Sequence, residues 1–163
     1  MDSTFLANTA DNSMHWPVVM ASVVLALACV VIHYETLSVI IRVFAKRRLH
    51  VRLALPLAVY VMLVAHLVEI LLYAAGYTAL LAWGSPGVGS LEGSYEPGLA
   101  DTFYFSSAVY TTVGFGDITP EGPLRLLVGT EALVGLVLIT WSASFSFIAM
   151  QWYWKAEGHV GAE

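Results

Sequence analysis

Three long runs of apolar residues dominate the pattern of hydrophobic and polar positions along the chain. They cover residues 16–41, 53–83 and 123–150. A helix needs about 20 apolar residues to cross the hydrocarbon core of a bilayer, so each run predicts a transmembrane helix. A fourth apolar segment, residues 101–112, is too short to span. It predicts a short helix with Asp101 as its N-cap.

The polar segments between these runs predict the topology. Residues 42–52 hold five of the seven Lys and Arg residues of the chain. The positive-inside rule places this basic loop in the cytoplasm, which makes the polar tail of residues 1–15 external. The Gly- and Pro-rich residues 84–100 then predict an irregular external loop. Because three spans follow an external N-terminus, residues 151–163 are predicted to form a cytoplasmic tail.

Composition restricts the class of protein. Of 163 residues, 58% are hydrophobic and 12% are charged, which is too apolar for a water-soluble domain. The chain is therefore predicted to be an integral membrane protein with the lipid bilayer as a partner. Cys29 is the single cysteine, so no intrachain disulfide can form. We expect neither nucleic acid nor a small-molecule substrate as a partner.

The sequence Thr-Thr-Val-Gly-Phe-Gly-Asp at residues 111–117 carries the most specific chemistry. A dehydrated cation needs oxygen ligands in place of its water shell, and rings of backbone carbonyls supply them. Successive carbonyls face one axis only if alternate residues adopt backbone angles that Gly114 and Gly116 tolerate. The side chains of Val113 and Phe115 then point outward, and the Thr112 hydroxyl can add the innermost ligand.

Residues 101–150 resemble the potassium-channel family of tetrameric pore-loop cation channels, in a small prokaryotic type with one extra N-terminal span. The resemblance implies an all-α membrane protein with three transmembrane helices, a short re-entrant pore helix and a filter loop, assembled as a homotetrameric channel. It makes residues 53–83 the outer pore helix, 112–117 the selectivity filter and 123–150 the inner pore helix. It also implies that K+ in the filter is bound by the carbonyls of Thr112, Val113, Gly114, Phe115 and Gly116.

The same resemblance suggests a cellular location and an orientation. The pore loop of the family enters from outside, which agrees with the topology predicted from charge. We therefore expect a prokaryotic cell (inner) membrane, an external N-terminus and a cytoplasmic C-terminus. The first span, which is additional to the family minimum, is expected to pack peripherally, outside the second.

Several residues are predicted to support the filter. By resemblance, Tyr104 donates a hydrogen bond to Asp117, although it can also simply pack there. Some small prokaryotic channels have a Glu behind the filter where this chain has Ala108, so that brace is absent. Glu131, in the outer half of the third span, is costly in lipid and is expected to face the back of the pore helix.

The third span also holds the predicted gate. By resemblance Gly135 is a gating hinge, and a role in close helix packing explains it equally well. Thr140 and Ser144 share a helix face. They either line the water-filled cavity or bond back to their own helix.

Four ionisable residues lie inside the first two spans, where they are expensive and usually paired or functional. They are His33, Glu35, His66 and Glu69. Three interpretations stay open: a structural pairing between the two helices, a proton sensor based on His, and a divalent metal site. Their spacing alone is not a metal signature.

These features predict passive, potassium-selective conduction, gated by protons, by a divalent metal or by another stimulus. No span carries regularly spaced arginines, which argues against a voltage sensor. The alternatives are a poorly selective cation channel, a subunit of a potassium-uptake system and, from another class, an intramembrane hydrolase. The hydrolase lacks a nucleophile motif such as Gly-x-Ser-x-Gly, so we do not expect an enzyme.

Overall fold

The computed structural model describes residues 15–46, 51–84 and 87–156. Within these ranges the chain forms four helices and two short strands, in the order α1 (Trp16–Lys46), α2 (Val51–Trp83), β1 (Ser90–Gly93), α3 (Leu99–Tyr110), β2 (Ile118–Glu121) and α4 (Leu124–Ala156). Most of the N-terminal tail, part of the basic loop and the end of the C-terminal tail lie outside the described residues.

Three of the helices are long and apolar enough to cross a membrane. The candidate spans are Trp16–Val43 in α1, Leu53–Trp83 in α2 and Leu124–Trp152 in α4. Helix α3 has 12 residues, which is too short to cross. This confirms the prediction of a helical membrane protein with three spans and one short helix between the second and the third.

Two helix boundaries differ from expectation. Helix α1 continues through Arg42 to Lys46 instead of ending at residue 41. Helix α3 begins at Leu99, and its N-cap is Gly98, which makes no side-chain capping bond. The prediction that Asp101 is the N-cap was therefore wrong. Its Oδ2 instead accepts a hydrogen bond from the backbone N–H of Glu96 at 2.6 Å, which ties down the loop that precedes the helix.

The loop between α2 and α3 is more regular than its Gly and Pro content suggested. Strand β1 pairs antiparallel with β2, with Ser90 opposite Glu121 and Gly93 opposite Ile118. The two strands therefore join the segment before α3 to the segment after residue 117. Burial of Leu91 and Ile118 fixes this small sheet on the helices.

Helix α1 packs against both α2 and α4, rather than outside α2 alone. The core between the spans contains Val18 and Cys29 from α1, Tyr73 and Tyr77 from α2, and Leu138 from α4. The first span thus reaches the helix that follows the pore loop directly. Helix α4 is the span least covered by its own chain, with 11% of its apolar window buried.

Candidate functional site: the pore loop and the side chains behind it

The backbone of residues 112–116 alternates in conformation. Thr112 has φ 60°, Gly114 has φ 53° and Gly116 has φ 81°, whereas Val113 and Phe115 do not have positive φ. A left-handed residue at every second position turns successive carbonyls toward one side of the strand, which is the geometry that a carbonyl-lined pore requires. The two glycines adopt these angles without steric cost. Thr112 adopts them at a cost that the sequence did not predict.

The amides at the start of this segment are anchored to the short helix. The N–H of Thr112 donates to the Val109 carbonyl at 2.9 Å, and those of Val113 and Gly114 donate to the Ala108 carbonyl at 2.9 and 3.0 Å. Among the described residues, no hydrogen bond uses a carbonyl oxygen of residues 112–116. The carbonyl oxygens of this strand are therefore without a hydrogen-bond partner in the described part of the chain.

Helix α3 itself contributes to the electrostatics of the site. Its last residue is Tyr110, and Thr111 is the C-cap that leads directly into the loop. The C-terminal end of a helix carries partial negative charge from its unpaired carbonyls. This end adjoins Thr112, where the Thr hydroxyl was predicted to be the innermost ligand, so the helix favours a cation there.

The outer end of the loop is held by a side chain from α3. The Tyr104 hydroxyl donates to Asp117 Oδ2 at 2.8 Å, which is the hydrogen bond expected from the sequence. Donating this bond raises the pKa of the Tyr104 phenol above its ordinary value. The Tyr104 ring also stacks on Phe115, with centroids 6.1 Å apart. The Asp117 carbonyl accepts from the Ser94 amide at 2.9 Å, which links the loop to the β1–β2 sheet.

Glu131 lies behind α3, as predicted. It is fully buried. Its Oε1 accepts a hydrogen bond from the Ser106 hydroxyl and its Oε2 accepts one from the Tyr77 hydroxyl, each at 2.5 Å. Ser106 also lies 2.9 Å from the Ile70 carbonyl. One carboxylate of α4 therefore connects α2 and α3.

Gly135 makes a close helix contact. A Cβ built there would overlap the carbonyl oxygen of Tyr110 and lie 2.8 Å from its carbonyl carbon. Of the two roles considered for Gly135, packing has direct geometric support, because α4 passes the end of α3 at this glycine. A hinge at Gly135 stays a prediction.

Thr140 and Ser144 both bond to their own helix. The Thr140 hydroxyl donates to the Leu136 carbonyl at 2.7 Å, and the Ser144 hydroxyl donates to the Thr140 carbonyl at 2.9 Å. Both residues are exposed on α4. Each hydroxyl oxygen can still accept a bond from water, so lining of a cavity stays a prediction.

Three of the four intramembrane ionisable residues come together. Glu69 Oε1 lies 3.1 Å from His33 Nδ1, and Glu69 Oε2 lies 3.0 Å from His66 Nδ1. His33 and Glu69 are fully buried, and His66 is nearly so. Glu35 does not join them. It is exposed and pairs with Arg42 Nη2 of its own helix at 3.1 Å, because it points to a different side of α1 from His33.

Sequence reasoning missed two members of this cluster. Ser142 Oγ lies 3.2 Å from His33 Nε2 and 3.0 Å from His66 Nε2. The Tyr110 hydroxyl donates to Glu69 Oε2. Ser142 is the first of three serines that occupy every second position of α4, at 142, 144 and 146, and nothing in the sequence indicates which of them faces the histidines. Tyr110 directly precedes the loop, and its hydroxyl at the end of an apolar helix was the available signal.

Three helices are long and apolar enough to span a membrane, and the second and third of them pack against the short helix that leads into the loop. A family model described as "Ion channel" matches residues 59–151, more than half of the chain. The chain therefore belongs to this ion channel family and is an integral membrane protein of ion transport. The match begins inside α2 and ends inside α4, so α1 is outside it. Neither the curated proteins nor the solved structures gave a match.

Proposed function

We propose that the protein is a potassium-selective channel that conducts K+ passively through a homotetrameric pore. The observation that carries this proposal is the alternating backbone of residues 112–116, with its amides tied to α3 and its carbonyls free. Such a strand offers successive layers of carbonyl oxygens, and dehydrated ions pass between the layers by mutual repulsion. Intact glycines at 114 and 116 favour this over a poorly selective pore.

The exposed apolar surface of the chain supports assembly of several copies. Val113 and Phe115 are 56% and 67% exposed although both lie in the pore loop. A single loop also supplies only one side of a coordination ring, and homo-oligomers of this kind close with cyclic symmetry. The proposed homotetramer supplies four loops around one axis and covers the exposed sides of α4 and of the loop.

The proposed orientation has an external N-terminus and a cytoplasmic C-terminus in a prokaryotic cell membrane. The exposed side chain of Arg42, at the end of the first span, belongs to the basic segment and supports a cytoplasmic position for that end. The β1–β2 sheet at the opposite end carries Glu92 and Glu121. These carboxylates then lie at the external mouth, where negative charge modestly concentrates cations.

Flux through liposomes tests the proposal. The purified channel should pass K+ and Rb+ well and Na+ poorly under bi-ionic conditions. The variant Gly114→Ala should insert and assemble but lose conduction, because Ala resists the φ of 53° at this position. Gly129→Ala is the matched control, since an added Cβ at either glycine meets no atom of its own chain within 4 Å and only Gly114 has a positive φ. Equal permeability to Na+ and K+ in a well-assembled wild-type channel would refute selectivity.

A further inference from the structure

The buried polar cluster between α1, α2 and α4 has the side chains of a metal site. His33, His66 and Glu69 each offer a ligand atom, and these atoms lie within 4.8 Å of one another. Imidazole nitrogens together with a carboxylate are ligands for borderline transition metals such as Zn2+, whereas Mg2+ and Ca2+ prefer oxygen. The Nδ1 atoms of both rings contact the same carboxylate, His33 at Oε1 and His66 at Oε2, so two nitrogens and the Glu69 carboxylate lie side by side.

The hydrogen bonds of the cluster do not balance when both rings are neutral and Glu69 is ionised. If both Nδ1 atoms donate to Glu69, both Nε2 atoms must accept. Each Nε2 faces Ser142 Oγ, at 3.2 Å from His33 and 3.0 Å from His66. A hydroxyl has one hydrogen, so it satisfies one of these nitrogens and leaves the other without a donor. In a buried site an unsatisfied nitrogen is costly.

A divalent cation on the Nδ1 side is one of three ways to remove this imbalance; the others are an added proton on one Nε2 and a Tyr110 hydroxyl that donates to His66 Nδ1. With the cation bound, both rings carry their hydrogen on Nε2, and Ser142 Oγ accepts from both through its two lone pairs. Metal-ligating histidines are usually oriented by a hydrogen bond from the other ring nitrogen. Here one hydroxyl of α4 lies within reach of both rings and can perform that task for both.

The surroundings leave room for a further ligand and for access. His66, Tyr110 and Ser142 line a groove of about 660 Å³ that extends along α2 and α4 to Ser146. The Tyr110 hydroxyl lies 2.9 Å from His66 Nδ1. A three-ligand site with an open fourth position is a common arrangement for zinc, with water or a neighbouring oxygen in the open position.

We infer that His33, His66 and Glu69 form a binding site for a divalent transition metal of the Zn2+ class, oriented by Ser142. Such an ion links α1 to α2 directly and, through Ser142, to α4. It also lies one hydrogen bond from Tyr110, the last residue of α3 before the pore loop. The inference does not depend on which ion the pore conducts.

Metal binding to the purified oligomer in detergent tests the inference. After chelation and reloading, the wild type should hold about one Zn2+ per chain. Co2+ in place of Zn2+ should give the visible absorption of a low-coordinate site. Glu69→Gln and His33→Ala each remove a ligand and should lose this ion. Glu35→Gln is the matched control, because Glu35 is an exposed carboxylate two residues from His33, and it should bind like the wild type.

Two further measurements keep the test decisive if a ligand variant assembles poorly. Ser142→Ala retains all three ligands and should weaken Zn2+ binding by roughly 10–100-fold without changing its stoichiometry. The Tm of the wild type should rise with Zn2+ concentration, and that of Glu69→Gln should not. A reloaded wild type without Co2+ absorption or bound Zn2+ overturns the inference. So does equal binding by Glu69→Gln, since either result leaves the cluster as a proton-bearing hydrogen-bond network.

Discussion

The variant Gly135→Ala distinguishes close packing from hinge bending in α4. The added methyl group would meet the backbone of Tyr110 and not a flexible side chain. It would overlap the carbonyl oxygen and lie 2.8 Å from the carbonyl carbon and 3.0 Å from the Cα, where ordinary contact begins near 3.4 Å. Because Tyr110 is the last residue of α3, the strain falls on the helix end from which the pore loop starts.

The size of the effect follows from this overlap. Relief requires α4 and the end of α3 to separate by roughly an ångström, and overpacking of this kind costs about 1–3 kcal/mol. In a chain of this size that corresponds to a fall in Tm of roughly 2–12 °C. The displaced carbonyls of Ala108 and Val109 anchor the amides of residues 112–114, so K+ flux should fall together with stability.

The assay compares thermal stability and K+ flux of Gly135→Ala with those of Gly129→Ala. Gly129 lies on the same helix with nothing within 4 Å of an added Cβ, so its substitution isolates the gain in helix propensity, about 1 kcal/mol. Packing predicts that Gly135→Ala loses stability and Gly129→Ala does not. A Gly135→Ala channel with wild-type Tm and reduced opening would refute the packing argument and favour the hinge.

Two further predictions concern the support of the pore and its orientation. Glu131→Ala removes both oxygens that bond Ser106 and Tyr77 and leaves the buried Tyr77 hydroxyl without its partner, which should lower stability by about 1–3 kcal/mol in thermal unfolding. The control Glu121→Ala, in an exposed pair with Arg125, should change stability by less than about 1 kcal/mol, and equal losses would contradict the role of Glu131. In intact cells an impermeant thiol reagent should label Glu92→Cys and should not label Arg42→Cys. The native Cys29 is buried and should not react. The reverse labelling pattern would overturn the orientation.

Much of this architecture was predictable because its causes are local in sequence. Apolar runs long enough to cross a bilayer give the three spans, and a run too short to cross gives α3. The contact between Tyr104 and Asp117 was expected from the family resemblance of the short helix and the loop after it. Glu131 was predictable because a carboxylate in a span must find donors, and α3 is the polar neighbour within reach.

The remaining features depend on distant contacts that no local pattern encodes. Strand β1 exists only because it pairs with β2, which lies beyond α3 and the pore loop. The separation of Glu35 from His33 depends on the rotation of α1 against two neighbours, which its apolar composition leaves open. Which of the three serines at 142, 144 and 146 contacts the histidines depends on the same helix packing, and in the structure it is Ser142. The left-handed Thr112 follows from the helix end and the loop together.

The back of the pore helix is held in the same way at two successive turns. Ser106 donates to Glu131 of α4, and Tyr110, one turn later on the same side of α3, donates to Glu69 of α2. Each carboxylate also bonds a residue of another helix, Tyr77 of α2 for Glu131 and His33 of α1 for Glu69. Since an acceptor in a low-dielectric interior is costly to leave without a donor, these bonds resist any movement of α3 away from its neighbours. The carbonyls of residues 112–116 accept no hydrogen bond among the described residues, so in the proposed channel they stay available to ions while the helix behind them is fixed.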